Sequence, residues 1–182
     1  MKKLIVKSTN FFIFIICFLS NLSMASAATP TPASRMKNKN ISYTFIQTTN
    51  RARIEPIELS KDIYRITIKN TPSTVGYFSD RPNRFAGSLS LGQFLHEWDG
   101  FNSFTLVPPN VSISGNKPSR SSHKTELNFV TILTNPHYDA IKNTMTYDLK
   151  FISAKPVMTN KQIILHNVTL FFDSGSCASC CC

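Results

Sequence analysis

Between Cys17 and Cys177 the sequence contains no cysteine, so no disulfide within one chain can staple two segments of its body together. Acids are scarce, 10 against 20 lysines and arginines, which leaves a formal net charge of +10. Beyond the N-terminal apolar run, no window approaches the roughly 20 apolar residues that a membrane-crossing helix requires. Three catalytic signatures are missing as well: a His-Glu-x-x-His zinc helix, a Gly-x-Ser-x-Gly nucleophile elbow and a glycine-rich phosphate loop. No internal repeat is visible.

What the N-terminus does contain has three parts: Lys2, Lys3 and Lys7, then the apolar run Phe11 to Leu19, then Ala25-Ser26-Ala27. This is the layout of a secretory signal peptide over residues 1–27. Cys17 is preceded by Phe14-Ile15-Ile16 rather than by the small residues of a lipoprotein processing site, so a lipid anchor is not expected. Cleavage after Ala27 would leave residues 28–182, a length suited to one soluble domain, in the periplasm or outside the cell. It would also remove three lysines and lower the formal charge from +10 to +7. Five of the remaining cations, Arg35, Lys37, Lys39, Arg51 and Arg53, precede the first acid, Glu55. A solvated tether is the favoured reading of that segment; the functional alternative is screened attraction to phosphate groups of an outer leaflet or an anionic envelope polymer. Nucleic acid is not an expected partner of an exported chain.

Residues 28–40 lack apolar periodicity and read as a flexible basic lead. From Ile41 onward, alternation of period two dominates: Ile41, Tyr43, Phe45; then Tyr64, Ile66, Ile68; then Met145, Tyr147, Leu149, Phe151, each the signal of a half-buried strand. Leu127 to Leu133 and Ile163 to Phe172 are more continuously apolar and are expected to be central strands covered on both faces. Turns are expected at Asn70-Thr71-Pro72, Ser114-Gly115-Asn116, Asn135-Pro136 and Lys155-Pro156. One segment has a different period. Leu91, Phe94, Leu95 and Trp98 recur at helical spacing after a Ser90/Gln93 capping box, with Gly100 available to end the turn. The expectation is a mostly β single domain over 41–173, a β-sandwich or twisted antiparallel sheet with one short helix near residues 90–99, followed by a cysteine-rich tail over 174–182.

The densest block is Tyr77-Phe78-Ser79-Asp80-Arg81-Pro82-Asn83-Arg84-Phe85-Ala86-Gly87. Its structural reading is a loop locked by Asp80 and buried against Trp98 and the phenylalanines; its functional reading is an arginine site for a carboxylate or phosphate. The order Tyr-Phe-Ser-Asp-Arg-Pro-x-Arg-x-x-Gly, then Phe94 and Trp98, Asn102-Ser103-Phe104 and Pro108-Pro109-Asn110, resembles a family of small exported bacterial proteins. Leu133, Asn135-Pro136, Tyr147-Asp148 and Leu170-Phe171-Phe172-Asp173 extend the likeness over roughly residues 74–173. The resemblance implies an exported single domain, and it brings no activity, substrate or catalytic residue with it.

Asp80, His96 and Glu97 are the candidates for acid–base chemistry, but His96 and Glu97, adjacent on a helix, point about 100° apart. His123, His137 and His166 are isolated in sequence, and His166 reads as a hydrogen-bonded core residue. The tail is richer. Cys177, Cys180, Cys181 and Cys182 fall within the last six residues. Adjacent cysteines, about 3.8 Å apart at Cα, are poor bridging partners, so Cys177 to Cys180 or beyond is the feasible local closure. Three fates stay open: local or mixed disulfides, thiolate ligation of Zn(II) or Cu(I), and cross-linking to a second chain, which would give a disulfide-linked dimer. The expected function is a binding or interaction module for a protein or envelope polymer, with no cofactor for the body. The alternative is a metal or redox thiol protein working through the tail.

Overall fold

The computed structural model describes residues 41–58, 62–100, 104–118, 125–153, 155–156 and 162–173. The expected signal peptide, the basic lead, His123 and the whole cysteine tail, including Cys177, Cys180, Cys181 and Cys182, lie outside the described residues. Among the described residues, eight strands and one helix follow in the order β1 (Tyr43–Glu58), β2 (Ile63–Lys69), β3 (Thr74–Ser79), β4 (Ala86–Ser90), α1 (Leu91–Asp99), β5 (Asn110–Lys117), β6 (Thr125–Asp139), β7 (Thr144–Phe151) and β8 (Ile163–Asp173). All strands join one antiparallel sheet in the order β2-β7-β6-β5-β8-β1-β3-β4, with β2 also paired to β1. The mostly β, single-helix architecture is the one the alternation foretells.

The extra pairing closes a ring. One side of β1 is bonded to β8 from Thr44 to Ile54. Its other side is shared, residues 43–46 pairing with β3 and Ala52 to Glu58 pairing with β2. Since β2 pairs β7, β7 pairs β6, β6 pairs β5 and β5 pairs β8, six strands meet end to end. The hairpin of β3 and β4 is carried outside that ring by the first residues of β1. Closing a sheet in this way satisfies backbone groups that an open edge would expose.

The interior is apolar and aromatic. Tyr64, Ile66 and Ile68 alternate inward on β2, as do Met145, Tyr147, Leu149 and Phe151 on β7. The helix lays Leu91, Phe94 and Trp98 on this interior. Phe94 meets Phe45 and Phe172 at ring distances of 5.5 and 5.4 Å, while Trp98 meets Phe104 at 5.1 Å and Tyr147 at 5.6 Å. Each such side chain contributes roughly 1.5–3 kcal/mol by burial, and tilted or edge-on ring pairs add about 0.5–1.5 kcal/mol. The helix starts where the sequence says: Ser90 Oγ accepts from Gln93 N at 3.2 Å, and Ser90 N donates to Gln93 Oε1 at 3.0 Å. At its end, a side chain on Gly100 would press on the carbonyl of His96.

Three expectations change. Neither β6 nor β8 is covered on both faces: Val130 and Phe171 are each 38% exposed on the outer surface, because a ring of strands has an inside to fill and an outside left to solvent. Asn135-Pro136 does not end a strand but lies within β6, at an irregularity between Thr134 and His137 where Asn135 takes φ 51°. Ser114-Gly115-Asn116 likewise runs through β5, at a register shift against β8. Turn-forming residues serve here as bulges, which need the same permissive backbone.

Candidate functional site

The residues singled out by sequence do not converge. Asp80, Arg81 and Arg84 are exposed on the β3–β4 turn, and the turn is held by other atoms. The carbonyl of Asp80 accepts from the backbone N–H of Asn83 and of Arg84, and Ser79 Oγ accepts from Phe85 N at 2.8 Å. The Asp80 carboxylate is therefore not the lock, and Trp98 packs against Phe94, Phe104, Tyr147 and Phe172. His96 is 84% exposed with Nδ1 4.0 Å from Glu97 Oε1. Among the described residues no three His, Cys, Asp or Glu side chains gather as a metal site. His166 is not in the core: it is half-buried on β8, between Arg51 of β1 and Asn116 of β5.

That position of His166 belongs to a local feature of the ring. On β1 the buried positions are Tyr43, Phe45, Gln47 and Thr49, then Ala52 and Ile54; on β8 they are Ile163 and Leu165, then Val168, Leu170 and Phe172. The inward set slips by one residue on both strands, and the register pairs Thr49 with Val168 before the slip and Ala52 with Leu165 after it. Alternate residues of a regular strand face opposite ways; at the slip, two consecutive residues on each strand leave the interior. They are Asn50 with Arg51, and His166 with Asn167.

Three details fix the slip in place. Asn167 adopts φ 50°, a left-handed conformation that asparagine tolerates better than most residues. Thr49 Oγ1 lies 3.4 Å from both N and O of Arg51 and can accept from one and donate to the other, a local bond that competes with regular pairing. Beneath the slip, Gly115 is closely packed: a Cβ would sit 3.2 Å from Leu165 Cβ and 3.3 Å from Val168 Cγ2, so those side chains would have to give by a few tenths of an ångström.

Beside this feature β2 ends at Lys69, and Asn70 follows it at φ 52°. Asn50, Asn70 and Asn167, with Thr48 and Thr169, line an open cleft of about 330 Å³. Next to it, Arg51, Arg53, Thr67 and Lys69 line a smaller hollow of about 110 Å³. Arg53 stands opposite Thr67, and the same antiparallel register carries Arg51 towards Lys69. The surface thus carries a cationic hollow and a neutral, amide-lined cleft, whose linings are chain neighbours at Asn50–Arg51 and at Lys69–Asn70.

The neighbouring acids are engaged. Glu55 Oε2 lies 3.5 Å from Arg53 Nε. Asp148 accepts from Arg65 at 2.8 Å and from Asn135 Nδ2 at 2.9 Å. Arg51 and Lys69 form no ion pair among the described residues. Like charges facing one another across strands destabilise a sheet, so a basic pair kept side by side is a feature that an anion would relieve. Arginine is the side chain best suited to grip a phosphate or carboxylate by two parallel bonds.

Of this site, the sequence singled out Arg51 and Arg53, as part of a basic N-terminal segment, and not their partners. The missed signal is a break in alternation that occurs twice, at Asn50-Arg51 and at His166-Asn167. Comparison of the chain with protein-family models, with curated proteins and with solved structures finds no match.

Proposed function

We propose that this chain is an exported binding module that holds a phosphate-bearing polymer of the cell envelope on the outer face of β1 and β2. The observation that carries the reading is the hollow bounded by Arg51, Arg53 and Lys69, with Glu55 the nearest engaged acid. Two unit charges at 4 Å attract by only about 1 kcal/mol in water, so one surface cation would hold little; several cations along a repeating anion add up and confer salt sensitivity. No described helix is long and apolar enough to cross a membrane, which is compatible with a protein that works on such a polymer from the aqueous side.

Titration with inorganic polyphosphate tests the proposal. Binding is expected for the wild type, weakening severalfold as salt rises from about 0.05 to 0.2 M because exposed charges are screened. It should be lost in Arg51→Ala/Arg53→Ala/Lys69→Ala. Equal binding by wild type and triple variant would overturn the reading.

A further inference from the structure

The cleft beside the cations is built differently from them, and the way the chain alternates between the two is informative. Each asparagine of the cleft is the chain neighbour of a residue with a cationic or imidazole side chain: Asn50 precedes Arg51, Asn70 follows Lys69, and Asn167 follows His166. Neighbouring Cα atoms are about 3.8 Å apart, so each amide of the cleft springs from the backbone directly beside a cationic or imidazole side chain. The slip in β1 and β8 makes this possible, because it brings both members of two of these pairs out of the interior.

The three carboxamides form no hydrogen bond with any described residue, whereas Asn135 and Asn128 on the same protein donate to Asp148 and Glu126. Each carboxamide offers two donors and an acceptor. That combination suits vicinal hydroxyl groups, which both donate and accept. Thr48 and Thr169 add hydroxyls to the same lining. At about 330 Å³ the cleft is at the lower end of ligand-site sizes, roughly 300–1,000 Å³. It has room for one sugar ring, and its lining holds no charge to favour an acid or an amine.

We infer that the two hollows form one site for a sugar phosphate ester, with the phosphate on Arg51 and Lys69 and the hydroxyls of the sugar on Asn50, Asn70 and Asn167. This rests on the proposed function and narrows it: the polymer recognised is a glycan carrying phosphate esters, and polyphosphate alone fills half of the site. Recognition then has two separable parts, a salt-sensitive grip on phosphate and a salt-tolerant reading of hydroxyls.

Titration of the purified chain with inorganic phosphate, glucose, glucose 1-phosphate and polyphosphate at one ionic strength separates them. Glucose 1-phosphate is expected to bind at least about tenfold more tightly than inorganic phosphate, the difference made by two or three added hydrogen bonds. Asn50→Ala/Asn70→Gly/Asn167→Gly should erase that advantage and leave polyphosphate binding unchanged; glycine at 70 and 167 keeps the left-handed backbone while deleting the amides. Sugar phosphate and phosphate binding equally to a wild type that binds polyphosphate would overturn this inference alone. A wild type that binds no polyphosphate would overturn the proposed function beneath it. Should the asparagine variant fail to fold, the comparison of ligands on the wild type decides the matter by itself.

Discussion

Tyr77 and Gly87 face each other across β3 and β4, and the phenol ring occupies the space where a side chain on residue 87 would be. A Cβ there would sit 2.7 Å from Tyr77 Oη and 2.9 Å from Cζ. The glycine that ends the dense central block is therefore the seat of the tyrosine that opens it, which in turn meets Tyr43 edge-on at 5.9 Å. Gly87→Ala should lower stability by about 1–3 kcal/mol, as overpacking does. Equilibrium unfolding in urea measures it, and Tyr77→Leu combined with Gly87→Ala should cost less than the two changes summed.

Trp98 lies where helix and ring interior meet, 2% exposed among Phe94, Phe104, Tyr147 and Phe172. Truncation to alanine is expected to cost about 3–5 kcal/mol, since the surrounding strands are bonded to one another and cannot collapse into the void. The same urea titration reads the loss. A value below about 1 kcal/mol would contradict this packing.

Inside the ring, Tyr147 Oη donates to Gln47 Oε1 at 3.0 Å, and Gln47 Nε2 has no partner among the described residues. Burial pushes the Tyr147 phenol pKa well above its ordinary value, so the group stays a neutral donor. Tyr147→Phe orphans the remaining amide oxygen and should cost about 1–3 kcal/mol. Adding Gln47→Leu removes the stranded polar group and should restore most of that loss, which a double-mutant cycle will detect.

A pH dependence follows from the trio Asp62, Tyr64 and Lys155. Tyr64 Oη donates to Asp62 Oδ1 at 2.8 Å, and Lys155 Nζ donates to Asp62 at 3.1 Å and to Tyr64 Oη at 2.6 Å. The bond from Tyr64, then that from Lys155, holds the Asp62 carboxyl below its ordinary value. Bonds to Tyr64 and then Asp62 hold Lys155 above its own. The contribution of Asp62 is thus present above about pH 3.9, the unfolded value, and is lost as pH falls through the lower folded one. The contribution of Lys155 is present below about pH 10.4 and is lost as pH rises through its higher folded value. Thermal midpoints of wild type and Asp62→Asn should differ at neutral pH and converge in strong acid.

The strands and helix were legible wherever one face alone is buried. Met145, Tyr147, Leu149 and Phe151 alternate without a break, and the Ser90/Gln93 box states where the helix starts. Asn135-Pro136 and Ser114-Gly115-Asn116 misled because residues that permit unusual backbone also permit a bulge inside a strand. His166 misled for a related reason: in a strand with a slip, apolar neighbours on both sides no longer tell which way a side chain faces. The candidate site escaped because its residues come from β1, β2 and β8 and meet through pairings that no local pattern records. Only the doubled break in alternation marks it.

The ring of six strands has a consequence for timing. Its closure requires β8, the last described strand, to enter between β5 and β1, the first. Contacts between segments so distant along the chain form slowly, because a long loop must be ordered before they reward it. Without β8, β1 would lack the partner it has from Thr44 to Ile54 and β5 would lack its second neighbour. Until that strand is in place the ring stays open, so its completion coincides with the arrival of the last described strand.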